Sequence, residues 1–217
     1  MHAIPFRRLP GRPATLLLLC LVLCAAAPVK IMALGDSLTA GYGLPHDQGF
    51  VVQLQNAIDA EKLNATVLDD GVSGDTSADA LARLDWALGD DPNAAIIELG
   101  GNDGLRGLPP AEMERNIAAI LDTLKARHIP VLLSGMVAPP NMGPAYSAAF
   151  HAVFTRLLAR PGLITDPFFL QGVAPHETLE QADHIHPNAA GVKIIVARLM
   201  PEVRRLIARA RRKMPPA

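Results

Sequence analysis

Val29-Lys30-Ile31-Met32-Ala33-Leu34-Gly35-Asp36-Ser37-Leu38 runs from an apolar, strand-like segment straight into a turn. Its apolar half, Val29 to Leu34, has three counterparts further on: Thr66 to Leu68, Ala94 to Leu99 and Val131 to Met136. Such runs are too apolar for a sheet wetted on one face. They suit parallel strands buried on both faces. Segments with helical spacing lie between them. Phe50, Val51, Leu54, Ala57 and Ile58 form one stripe, and Met113, Ile117, Ile120, Leu121 and Leu124 form another. The βαβα order predicts an α/β fold with an open, doubly wound parallel sheet. A last helix is expected from Asn188, a good N-cap, through Val192, Ile195, Val196 and Leu199, with Pro201 kinking or restarting it. Glu98 stands out in its apolar strand and is placed only near that strand's polar end.

In open α/β sheets the ligand site lies beyond the carboxyl ends of the strands. The informative residues sit there. The first strand ends in Gly35-Asp36-Ser37-Leu38, the second leads into Gly71-Val72-Ser73-Gly74, and the third ends in Gly100-Gly101-Asn102-Asp103. Alone, Gly-Asp-Ser is turn chemistry. A late segment, Asp183-His184-Ile185-His186-Pro187-Asn188, changes that reading. A serine hydroxyl needs a base within hydrogen-bond reach and a third group to hold the base. An Asp three residues before a His supplies both from one loop. The Asp183 carboxylate can curl onto the Nδ1–H of His186, leaving Nε2 for Ser37, while His184 points elsewhere, at the rim. Attack on a carbonyl also needs donors for the charge that develops on its oxygen. The backbone N–H groups of Ser37 and Gly74 and the side-chain amide of Asn102 are the candidates.

In this order, Gly35-Asp36-Ser37-Leu38, Gly74, Gly100-Gly101-Asn102-Asp103 and Asp183-Ile185-His186-Pro187 resemble the blocks of the SGNH (GDSL) hydrolase superfamily. Gly74-Asp75-Thr76-Ser77 and Gly100 to Gly107 are similar to its bacterial periplasmic thioesterase I/arylesterase/lysophospholipase subfamily. The resemblance implies a three-layer, flavodoxin-like fold, no cofactor or metal, and broad activity on acyl esters and thioesters, with lysophospholipids as a further substrate class. Ser37, Asp183 and His186 are then the catalytic triad, and Ser37, Gly74 and Asn102 the oxyanion hole. Leu105, Leu108, Pro139, Pro140 and Met142, in the loops after the third and fourth strands, are expected to line the acyl site. The loop Ala138-Pro139-Pro140-Asn141-Met142-Gly143 keeps the Pro pair of relatives but not all its neighbours.

The 217 residues, half of them hydrophobic, suit one domain. Arg7, Arg8 and Arg12 precede an apolar run from Leu16 to Leu23 that ends in Ala25-Ala26-Ala27. That order is a secretory signal peptide's, expected over residues 1–27, with the hydrolase domain at 28–217 and a periplasmic or secreted location. The run is short of the roughly 20 residues a membrane span needs. Cys20 and Cys24 both fall in the leader, so the mature chain is expected to hold no thiol. A formal charge of −1 argues against nucleic acid as partner. The basic C-terminus, Arg204 to Lys213, reads as a solvated helix end whose cations suit its dipole. The expected partner is a small acyl ester or thioester, bound by a monomer with no stable membrane insertion.

Two rival readings remain. Asp36, Asn102, Asp103, Asp183, His184 and His186 are ligand types of a two-metal phosphoesterase, but a His beside the first Asp and a Gly-Asn-His segment are both missing. An exported binding protein that has lost turnover is the other, and no triad member is missing here. A dinucleotide site lacks its spaced glycines.

Overall fold

A computed structural model describes residues 27–174 and 176–214. The leader expected over residues 1–27, with both cysteines, lies outside them apart from Ala27. Five strands form the sheet: β1 (Val29–Gly35), β2 (Ala65–Gly71), β3 (Ala94–Glu98), β4 (Val131–Ser134) and β5 (Ile164–Asp166). The helices are α1 (Ser37–Ala40), α2 (Phe50–Ala60), α3 (Ser77–Ala82), α4 (Leu84–Ala87), α5 (Gly101–Leu105), α6 (Pro110–Ala126), α7 (Pro144–Leu158) and α8 (Ala189–Arg211).

All neighbours in the sheet are parallel, in the order β2-β1-β3-β4-β5. The chain winds one way from β1 to β2 and the other way from β2 onward. With right-handed crossovers, this puts helices on both faces. Accordingly α2 and α8 pack on each other, and α6 lies against α3 and α7. The switch point falls between β1 and β3, where a crevice must open. Gly35 pairs in register with both Gly71 and Glu98, so the ends of β1, β2 and β3 are level.

Two elements differ from the sequence expectation. The fifth strand, β5, has three residues, too few for an apolar run to register. It ends in Asp166, which is buried under hydrogen bonds from Ser134 and Arg198. The second difference is α8, which runs unbroken through Pro201 and does not restart there. Proline there removes the bond to the Ala197 carbonyl and costs about 3 kcal/mol. The buried face of α8 outweighs it. Ile195, Leu199, Val203, Leu206 and Ile207 are all at most 2% exposed, and each contributes about 1.5–3 kcal/mol. Asn188 caps this helix as expected, accepting from the N–H groups of Ala190 and Gly191. Among the described residues no helix is long and apolar enough to cross a membrane.

Candidate active site

The turn after β1 is built for close approach. A Cβ on Gly35 would lie 2.0 Å from Thr39 Oγ1 and 2.8 Å from the Glu98 carbonyl oxygen, so only glycine lets α1 fold back onto the strand ends. Asp36 caps α1 by accepting from the Leu38 N–H. Ser37 is therefore the first residue of a short helix rather than part of a free loop.

His186 arrives from the far side of the site. Its Nε2 lies 2.9 Å from Ser37 Oγ, and its Nδ1 lies 2.6 Å from Asp183 Oδ2. The other oxygen of Asp183 accepts from the backbone N–H groups of Ile185 and His186, each at 3.0 Å. Desolvation pushes the Asp183 carboxyl up, but these hydrogen bonds and the imidazole outweigh it and hold the group at about 2. Gln181, which the sequence did not single out, fastens this loop. Its side-chain amide donates to the carbonyls of Tyr42 and Pro187, and its N–H donates to the His186 carbonyl. The Tyr42 ring also lies against the His186 ring, with centroids 4.8 Å apart. His184 adopts a left-handed φ of 57°, which turns it away from Asp183 toward Glu180, 3.8 Å from Nδ1.

On the opposite wall, the Asn102 amide donates to Asp36 Oδ2 at 3.1 Å and to the Asp75 carbonyl at 3.0 Å. Both its hydrogens are thus engaged in the free protein. Gly74 sits nearby at φ 92°, a backbone position that strains any side chain, and its carbonyl accepts from Arg106. Asp103 faces inward. Its carboxylate accepts from the Ser77 N–H and hydroxyl, which excludes it from the crevice. Among the described residues no three His, Cys, Asp or Glu side chains gather as a metal cluster.

A crevice of about 540 Å3 opens over Ser37. Leu105, Pro139 and Pro140 line it; Leu108 and Met142 do not. The Leu108 carbonyl is tied to the Tyr146 hydroxyl, and Met142 lies over Gly107, whose added Cβ would be 2.9 Å from Met142 Cε. In their place the walls use Met136, Val137, Phe168, Leu170 and Ile185. Phe168 and Leu170 come from the loop after β5, the strand the sequence did not disclose. Val137 is 58% exposed and Ile185 43%, an unusual waste of apolar surface unless something covers it.

A model of the GDSL-like lipase/acylhydrolase family matches residues 33–194. The chain belongs to that family. It is 39% identical over 192 residues to esterase TesA of Pseudomonas aeruginosa, covering 88% of this chain and 96% of TesA. It is 37% identical to the thioesterase 1/protease 1/lysophospholipase L1 of Escherichia coli, covering 80% and 82% of the two chains. Among solved structures, the psychrotrophic esterase EstA of Pseudoalteromonas, inhibited by monoethylphosphonate, superposes with a TM-score of 0.77 at 35% identity, covering 82% and 98%.

Family membership leaves Glu98 to be explained by physics. It is 1% exposed and accepts from the Thr39 hydroxyl at 2.8 Å, while its Oε1 has no partner. Burial, then repulsion from Asp36, pushes its carboxyl well above the usual range. Burial also raises Asp36, to about 6, against hydrogen bonds from Leu38 and Asn102. Groups raised in the folded state stabilise it fully below their ordinary values and lose that contribution as pH climbs through the raised ones. Glu98→Gln keeps the neutral shape at every pH. It is expected to raise the unfolding temperature at pH 8 and leave it nearly unchanged at pH 4. Thermal melts at the two pH values decide it, and an equal shift at both contradicts a neutral Glu98.

Proposed function

We propose that this acylhydrolase cleaves carboxylic esters and acyl thioesters through an acyl-Ser37 intermediate. The observation that carries this reading is the hydrogen-bonded chain Ser37 Oγ, His186 Nε2, His186 Nδ1, Asp183 Oδ2, whose Ser37 end lines a largely apolar crevice. Ser37 Oγ attacks the acyl carbon while His186 takes its proton, and Asp183 steadies the imidazolium that forms. The bond to the leaving oxygen or sulfur then breaks as His186 returns the proton to it. Water, deprotonated by His186, attacks the acyl-serine, and the released carboxylic acid restores Ser37. Names borne by relatives, esterase and thioesterase/lysophospholipase among them, support the ester and thioester classes. The relative inhibited by a phosphonate supports a nucleophile that such reagents trap. Export after cleavage near Ala27 is part of the same proposal.

A panel of aryl esters, acyl thioesters and lysophospholipids of graded chain length tests the reading, together with fluorophosphonate labelling at Ser37. Hydrolysis of none of them, with Ser37 unlabelled, defeats it in favour of a binding protein.

Asn102 is assigned to the developing oxyanion, so its engaged amide must give one hydrogen to the substrate as charge forms. Asn102→Ala is expected to lose about 3 kcal/mol of transition-state stabilisation, roughly a hundredfold in kcat. A higher KM with kcat intact would place Asn102 in substrate binding instead.

A further inference from the structure

A second cavity, of about 250 Å3, lies at the opposite end of the sheet from Ser37. Its floor is Pro130, Val131 and Leu163, where β4 and β5 begin, and its walls carry Lys125, His128, Arg160, Arg209 and Lys213. These side chains come from three separate parts of the chain: the end of α6, the turn after α7 and the end of α8.

Cations at helix C-termini need no ligand to explain them, because each helix end carries about half a negative charge. The count here goes further. Lys125, Arg160, Arg209 and Lys213 are four permanent cations, against one paired carboxylate, Asp122 on Arg160. The ends of α6, α7 and α8 together offset about one and a half charges. A surplus of roughly one and a half positive charges is left converging on one half-open cavity, with Lys125 and Lys213 exposed there. Two of the cations are also held in place, Arg209 by the Gly162 carbonyl and Lys213 by the His128 carbonyl. Both retain N–H groups beyond the one used, and Lys125 has no partner among the described residues.

We propose that this cavity binds a phosphoryl oxyanion, independently of the reaction at Ser37. An Arg fork with flanking ammonium groups is the donor set that phosphate oxygens accept. The group is either free phosphate or the phosphodiester of an anionic lipid.

The test is thermal unfolding of the protein in inorganic phosphate against chloride at equal ionic strength, alongside co-sedimentation with phosphatidylglycerol vesicles and with neutral phosphatidylcholine vesicles. Phosphate about tenfold above its Kd should raise Tm by about 3–6 °C beyond chloride. Lys125→Ala combined with Lys213→Ala should abolish that rise while aryl ester turnover, read at the other end of the sheet, stays unchanged. If the pair fails to fold, Lys125→Ala alone carries the comparison. A phosphate shift with phosphatidylglycerol binding, both lost in the variant, supports the site with a lipid source. The shift without vesicle binding supports it with free phosphate. No shift beyond chloride, a shift the variant retains, or vesicle binding without a phosphate shift overturns it.

Discussion

Ser37→Ala is expected to lower turnover of an aryl ester by about a thousandfold or more, and His186→Ala by a similar factor. The double substitution should cost little beyond either single one, because the two groups act as a unit and the second has nothing left to do once the first is gone. His186 Nε2 lies 2.9 Å from Ser37 Oγ, and in the proposed mechanism that contact is the path by which the hydroxyl loses its proton. Folding should be little disturbed by the serine change, since among the described residues the hydroxyl's hydrogen bond is to His186 alone. Initial rates on one chromogenic ester, with melting curves as control, are enough. Near-wild-type turnover in Ser37→Ala would end the proposed mechanism, whatever the family.

How much of this was legible beforehand depended on whether a signal was local. Three of the apolar runs announced a parallel sheet because both faces of β1, β3 and β4 are buried almost throughout, and β3 is buried at every position. The edge strand β2 was read only at its apolar centre, since exposed Thr66 and Asp69 interrupt its buried positions and the buried Asp70 is itself polar. The spacing of Asp183 and His186 was legible because three residues in one turn fix their mutual reach. Gln181 was not, because its clamp depends on Tyr42, which lies 139 residues away in sequence. The crevice walls fell between these cases. Leu105 and the Pro139-Pro140 pair follow strands directly, whereas Phe168 and Leu170 hang from β5, a strand too short to see. Leu108 and Met142 carry the right chemistry, but tertiary contacts with Tyr146 and Gly107 draw them away. Glu98 shows the opposite limit. Its position was plain, yet the burial that chiefly raises its carboxyl, and the repulsion from Asp36 that adds to it, arise only when the strands assemble.

Asp183→Asn is expected to be more damaging than Asp183→Ala, although it is the more conservative change in shape. One oxygen of Asp183 accepts from the N–H groups of Ile185 and His186, and the other faces His186 Nδ1. In the Asn variant the two backbone donors claim the remaining carbonyl oxygen, which leaves the NH2 group facing Nδ1. The imidazole must then present a lone pair at Nδ1 and carry its hydrogen on Nε2. In that tautomer it donates to Ser37 and cannot accept the serine proton, a loss on the order of 10^4 in kcat. The Ala variant imposes no tautomer, so part of the ring population keeps Nε2 free, and the loss should be smaller. Stability gives a second readout with its own sign. The Asp183 carboxyl lies below its ordinary value, so its contribution is present above that value and disappears as pH falls through about 2. Both variants should therefore melt below the wild type at pH 7, with the gap closing toward pH 2. Equal kcat for the Asn and Ala variants would show that Asp183 acts through its charge alone and does not orient the ring.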